Sequence, residues 1–193
     1  MPPNFKFTRE EIISAALDLA REGGLAAVTA RALAARLGAS PKPIFGLFQN
    51  MEEVHREVLG AANTLYLRYL QEDMARGEYP PYKASGMGYI RFAREERELF
   101  KLLFMRDRSG ESVEEDRASI RPQLDLIRRN TGLGEEAAYR FHLEMWIYVH
   151  GIAAMIATGY LNWDMDYASQ ALTDGYLGLK YRFSGEGKDN GGH

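Results

Sequence analysis

The chain contains no cysteine, which excludes disulfides, thiolate metal sites and cysteine nucleophiles and is compatible with a reducing compartment. No apolar run approaches the ~18–20 residues needed to cross a bilayer, and the opening MPPNFKFTREE lacks the apolar stretch of a secretory signal. A cytoplasmic protein with no membrane partner is expected. Alternating apolar and polar stretches are missing as well, so the expected fold class is all-α. The Ser/His/Asp order, HExxH, Walker loop and GxGxxG patterns of familiar enzymes are not found. The chain is therefore expected to be no enzyme and to carry no cofactor and no metal.

What is present suits an ordinary globular protein: 193 residues, 46% hydrophobic and 26% charged, enough for one core and a smaller satellite unit. The net charge is −3, yet its halves differ in sign. Residues 1–50 hold six basic side chains (Lys6, Arg9, Arg21, Arg31, Arg36, Lys42) and four acidic ones (Glu10, Glu11, Asp18, Glu22), a net of +2 that leaves −5 for the remainder. Surface attraction is local, screened over ~8–10 Å, so a basic head on an acidic body fits a protein that offers one end to phosphates.

Thr8 and Glu11 stand in capping-box spacing and open a helix over 8–23, ended by Gly23-Gly24. Thr29 caps a short second helix, with Leu33, Ala34 and Leu37 on one face and Gly38 as its stop. Ser40-Pro41 reads as cap and first turn of a third helix, whose Ile44 and Phe48 point inward at i,i+4. Asn50 caps a long helix to about Arg76, with Val54, Val58, Ala61, Leu65 and Tyr69 as its stripe. Further helices are predicted near 82–94, 96–105, 113–130, 134–161 and 166–181, followed by the glycine-rich tail GEGKDNGGH, expected to be disordered over 184–193. The division expected is 1–50, a three-helix DNA-binding domain, and 51–183, a helical domain for ligand and dimerisation.

Two short helices around a glycine turn have the spacing of a helix-turn-helix, whose second helix enters the major groove. Spacing alone leaves a plain structural corner open. The residues themselves go further: IISAALDLAREGGLAAVTARALAARLGASPKPIFGLFQNMEEV resembles the N-terminal domain of the TetR family. It has the Ala-Ala of the first helix, a glycine before Val-Thr, the Leu-Ala-x-x-Leu-Gly of the second helix, and the Ser, aromatic and Phe of the third.

That resemblance implies a homodimer on a pseudo-palindromic operator in double-stranded DNA. Thr29 and Ser40 would lie at phosphates, and the third helix (Lys42, Pro43, Phe45, Gly46) would face base edges. Hydroxyls at helix N-termini suit that role because the amides and the dipole already favour anions, and each hydroxyl can cap its helix at the same time. Arg31 and Lys42 can reach guanine edges or phosphate. There are departures from the family pattern: Pro41 and Pro43 remove two amide donors, Phe45 stands where a tyrosine is usual, and Met51 replaces a frequent lysine. Weaker phosphate anchoring than usual is expected, partly offset by Arg31, Lys42, Lys6 and Arg9.

In the body, small residues recur at Ala153, Ala157, Ala168, Ala171, Gly175 and Gly178. The resemblance implies a dimeric four-helix seam there; packing within the chain is the alternative. Trp146-x-x-x-His150-Gly151 resembles the signature of the subgroup whose C-terminal domain is called WHG. Phe104, Met145, Trp146, Tyr148 and His150 are the candidate ligand contacts, for a hydrophobic or amphipathic small molecule, while most aromatic residues at helical spacing are core. His142 and His150 are roughly co-facial but ~12 Å apart along the axis, and are read as packing or pocket residues. The function expected is a DNA-binding repressor released by an effector; a protein-binding adaptor with a weakened helix-turn-helix is the alternative.

Overall fold

The computed structural model describes residues 7–110 and 118–189. Among them the regular elements are all helical: α1 (Arg9–Gly23), α2 (Ala30–Arg36), α3 (Lys42–Leu47), α4 (Met51–Arg76), α5 (Pro81–Glu95), α6 (Arg97–Phe104), α7 (Arg121–Thr131), α8 (Glu135–Ala157) and α9 (Met165–Asp189), with a 3₁₀ turn at Leu25–Ala27. The described residues contain no strand, in keeping with an all-α fold.

Two compact units can be distinguished. The first runs up to Arg68 and adds Glu95–Arg106; the second takes Tyr69–Arg94 and continues from Asp107. This division differs from a single cut at residue 50, because the first part of α4 and all of α6 join the head. The reason is hydrophobic: Val54, Val58, Ala62 and Leu65 of α4 and Leu99, Phe100 and Leu103 of α6 are buried, and α1 packs against both α2 and α6. Ala62, rather than Ala61, belongs to the buried stripe.

In the head, α1 starts as its spacing predicts. Thr8 Oγ1 accepts from Glu11 N at 3.1 Å, and the Glu11 carboxylate accepts from Thr8 N at 2.8 Å. Ile12, Ala16, Leu19 and Ala20 line its inner face, and Leu33, Ala34, Ile44 and Phe48 are buried in the same unit. Burying each of the larger ones, Ile12, Leu19, Leu33, Ile44 and Phe48, contributes ~1.5–3 kcal/mol. Between α2 and α3 the chain turns at Gly38, whose φ of 60° lies in the left-handed region that side chains with a Cβ avoid. Asn50 Oδ1 accepts from Glu53 N at 2.9 Å and so caps α4 as expected.

Ser40 does not cap α3. The helix begins at Lys42 with Pro41 at the cap position and no side-chain cap bond. A cap at Ser40 would look for the amide three residues on, which belongs to Pro43 and has no hydrogen to give.

In the second unit, α8 packs against both α7 and α9. Two boundaries differ from the sequence expectation. The helix foreseen over 134–161 stops at Ala157, where Gly159 turns with φ 73° and Tyr160 N reaches back to Met155 O at 3.0 Å. Of the helix foreseen over 113–130, residues 113–117 lie outside the described residues. The tail expected to be disordered over 184–193 is instead helical as far as Asp189, since extending an existing helix is far easier than nucleating one; residues 190–193 are not among those described.

Candidate nucleic-acid interface

The predicted DNA-facing residues of the head are accessible at its surface. Thr29, Arg31, Ser40, Lys42, Phe45 and Gly46 are exposed, and Pro43 is half-buried. Thr29 Oγ1 accepts from Ala32 N at 3.1 Å, so it caps α2 while its own hydroxyl hydrogen stays available. Ser40, relieved of capping, has no hydrogen-bond partner among the described residues. In α3 the inward face is Ile44, 1% exposed, followed at i+4 by Phe48; Phe45 is 48% exposed. Lys42 and Phe45 are three residues apart and share the outward side.

Of the six cations in the first fifty residues, three are already engaged. Arg36 is bonded to Glu22. Arg21 grips Glu96 through two parallel bonds of 2.9 and 3.0 Å, the fork geometry of a bidentate pair, and also meets Asp18. Arg9 is the notable case. Its guanidinium donates to Leu47 O at 2.6 Å, to Glu53 at 2.8 Å and to Glu57 at 3.1 Å, and lies 4.2 Å from the centre of the Phe48 ring.

Arg9 therefore ties the C-terminal end of α3 to the start of α4, and the charge the sequence offered to phosphates is already met by two glutamates. Glu53 accepts from Gln49 N at 2.7 Å, and that bond, followed by Arg9, holds its carboxyl below the usual range. Nothing local in the sequence marks Arg9 for this task, since its partners lie 38 to 48 residues away. Lys6 is outside the described residues. Arg31 and Lys42 have no ion pair among the described residues, which leaves them as the free charges of the helix pair.

The residues foreseen for a ligand are divided between the two units. Phe104 lies in the first unit, edge-on to Tyr66 at 5.1 Å and beside Phe100 at 5.2 Å. Its place in the sequence suggested body, but the apolar face of α6 turns toward the head core. The other four lie on α8 in the second unit: Met145 is buried, Trp146 and Tyr148 are exposed, and His150 is half-buried. Trp146 and His150 stack at 4.9 Å with their planes 19° apart, as i,i+4 neighbours on a helix should.

A feature the sequence did not reveal is a two-rung ladder between α5 and α8. The Tyr82 hydroxyl is hydrogen-bonded to His142 Nδ1 at 3.0 Å, and the Tyr89 hydroxyl to His150 Nδ1 at 2.9 Å. Tyrosines seven apart and histidines eight apart each fall on one helical face, and that pair of spacings was the available signal. Burial pushes the His142 imidazole down to about 4, keeping it neutral. His150 is also lowered, by burial first and then by the charge of Arg108. No group of three or more metal-ligating side chains fit to hold an ion occurs among the described residues.

The predicted seam residues separate into two groups. Ala153, Ala157 and Ala168 are buried within the chain itself, at 0%, 2% and 0% exposure. A side chain with no surface in the single chain has none to give a partner, so these three are packing residues. Gly175 is half-buried with the Tyr148 ring beside it: an added Cβ would stand 3.1 Å from that ring. Ala171, half-buried, and Gly178, exposed, remain accessible.

The comparisons with known proteins agree with this geometry. A family model described as bacterial regulatory proteins, tetR family, matches residues 12–58, which spans α1 to α3 and the start of α4. A second, described as tetracyclin repressor-like, C-terminal domain, matches residues 82–176. No curated protein matches the chain. No described helix is long and apolar enough to cross a membrane. With both family domains present in order and the helix-turn-helix folded as their match requires, the chain belongs to the tetR family of bacterial regulatory proteins and is a DNA-binding transcriptional regulator.

Proposed function

We propose that the protein is a homodimeric repressor that leaves its operator when a small hydrophobic or amphipathic effector binds the second unit. The observation that carries the DNA half of this reading is the exposed, unpaired state of Arg31 and Lys42 on α2 and α3, within the segment matched by the family model. Charges free of carboxylates release counterions from DNA, which drives binding. Thr29, Ser40, Pro43, Phe45 and Gly46 complete the contact set, with hydroxyls for phosphates and α3 for the major groove.

Support for an effector site comes from Trp146, His150 and Tyr89, where an exposed indole lies against a hydrogen-bonded pair in a single cluster. An apolar wall with a few polar groups is the usual make-up of a small-molecule site. Release requires the effector to bind the DNA-incompetent state more tightly than the competent one. Support for the dimer comes from large apolar side chains left exposed on α8 and α9, among them Ile147, Leu177 and Tyr181.

The test is a selection of binding sites from random duplex DNA by the purified full chain. A pseudo-palindromic sequence is expected. Mass spectrometry of the protein as purified, under native conditions, then identifies any retained small molecule, which is expected to lower operator affinity when added back. A folded dimer with no sequence preference would overturn the reading and leave a helical protein-binding adaptor.

A further inference from the structure

We infer that Phe45 is a sequence-reading residue, contacting the 5-methyl group of a thymine in each half-site through its exposed ring. This deepens the operator-binding reading above and rests on it. The side chain sits on the outward side of α3 at 48% exposure, whereas the core residues Ile44 of the same helix and Phe48 just after it are 1% and 2% exposed. About half of the ring therefore stands in solvent, unlike the core side chains beside it. It carries no hydroxyl, so it cannot donate to a phosphate, and the adjacent Gly46 has no side chain to compete for the groove.

Lys42, one turn earlier on the same side and free of any ion pair among the described residues, supplies the charge that would draw this face onto DNA. A phenyl group on a groove-facing helix has one specific partner among base edges, the thymine methyl, because that is the only apolar group the major groove displays. The inference gives the operator an A·T pair at a fixed place in each half-site, opposite α3. Lys42 alone would favour guanine or a phosphate.

The experiment uses the full-length protein and the operator recovered by selection. Each thymine is replaced in turn by deoxyuridine, which removes the methyl and keeps every hydrogen bond. For the wild-type chain, one replacement per half-site is expected to weaken binding about fourfold, the worth of one methyl removed from water. For Phe45→Ala, thymine and deoxyuridine operators should bind alike at that position, with circular dichroism and melting temperature unchanged because the ring is exposed. Retention of the thymine preference by Phe45→Ala, or a wild-type protein indifferent to deoxyuridine at every position, overturns the inference while leaving operator binding intact. Failure to select any sequence overturns the operator-binding reading itself, and this inference with it.

Discussion

Arg31 and Lys42 matter because the other cations described among the first fifty residues are held by carboxylates. Arg9, Arg21 and Arg36 are each paired with glutamate, and those bonds neutralise charge that a sequence count assigns to DNA. Each alanine substitution at Arg31 or Lys42 takes two cations from a dimer, so the slope of log affinity against log salt should flatten by about 2. Binding should weaken by ~1–3 kcal/mol with no change in melting temperature; fluorescence anisotropy across a salt series checks both. Within the body, His142 titrates near 6.5 when unfolded and about 4 when folded, so the unfolded chain binds the extra proton between those values. Stability contributed by the neutral imidazole is thus present at neutral pH and lost as pH falls through that window, by about 2 kcal/mol near pH 5. Chemical denaturation across pH should show this loss in the wild type and a flatter profile in His142→Gln; parallel profiles would remove His142 from the account.

At the level of elements, the close packing of α5 depends on glycine at one position where nothing can yield. A Cβ on Gly88 would stand 3.1 Å from the Tyr69 carbonyl oxygen and 3.2 Å from the Leu70 Cα. Backbone cannot rotate aside as a side chain can, so Gly88→Ala is expected to cost about 1–2 kcal/mol despite the better helix propensity of alanine. Gly175→Ala meets only the Tyr148 ring, at 3.1 Å, and that ring is partly exposed and free to turn. It is expected to be near neutral, and urea unfolding of the two variants side by side decides the contrast. The same distinction between local and distant partners explains what could be read from sequence. The caps at Thr8, Thr29 and Asn50 were legible because each partner lies three residues away. Ser40 misled because its signal ignores which amide lies three residues on. The Arg9 clamp and the tyrosine–histidine ladder join segments 38 to 61 residues apart, and periodicity carries no information about which helices meet.

For the whole molecule, the small residues of α8 and α9 show why a seam cannot be assigned from spacing. Ala153, Ala157 and Ala168 have the same character as Ala171 and Gly178, yet the first three are consumed by packing within one chain. The faces that remain are marked by exposed large apolar side chains: Leu143 and Ile147 four apart on α8, and Tyr167 and Tyr181 on one stripe of α9 that also holds the small Ala171 and Gly178, with Leu177 beside it. Ile147 is 65% and Tyr181 85% exposed, an unfavourable arrangement in water unless another surface covers it. If a second copy is that cover, Ile147→Asp places two carboxylates in a closed two-fold interface, where each charge loses its hydration without gaining a partner. Light scattering should then report a monomer at concentrations where the wild type is dimeric, with the helical circular dichroism signal kept. Operator affinity should fall steeply, since two half-sites are no longer bound as one event, while binding to an isolated half-site remains as weak as before. Ala153→Ser, at a buried position, should instead lower the melting temperature and leave the dimer in place. A dimer that survives Ile147→Asp would move the interface elsewhere on the chain.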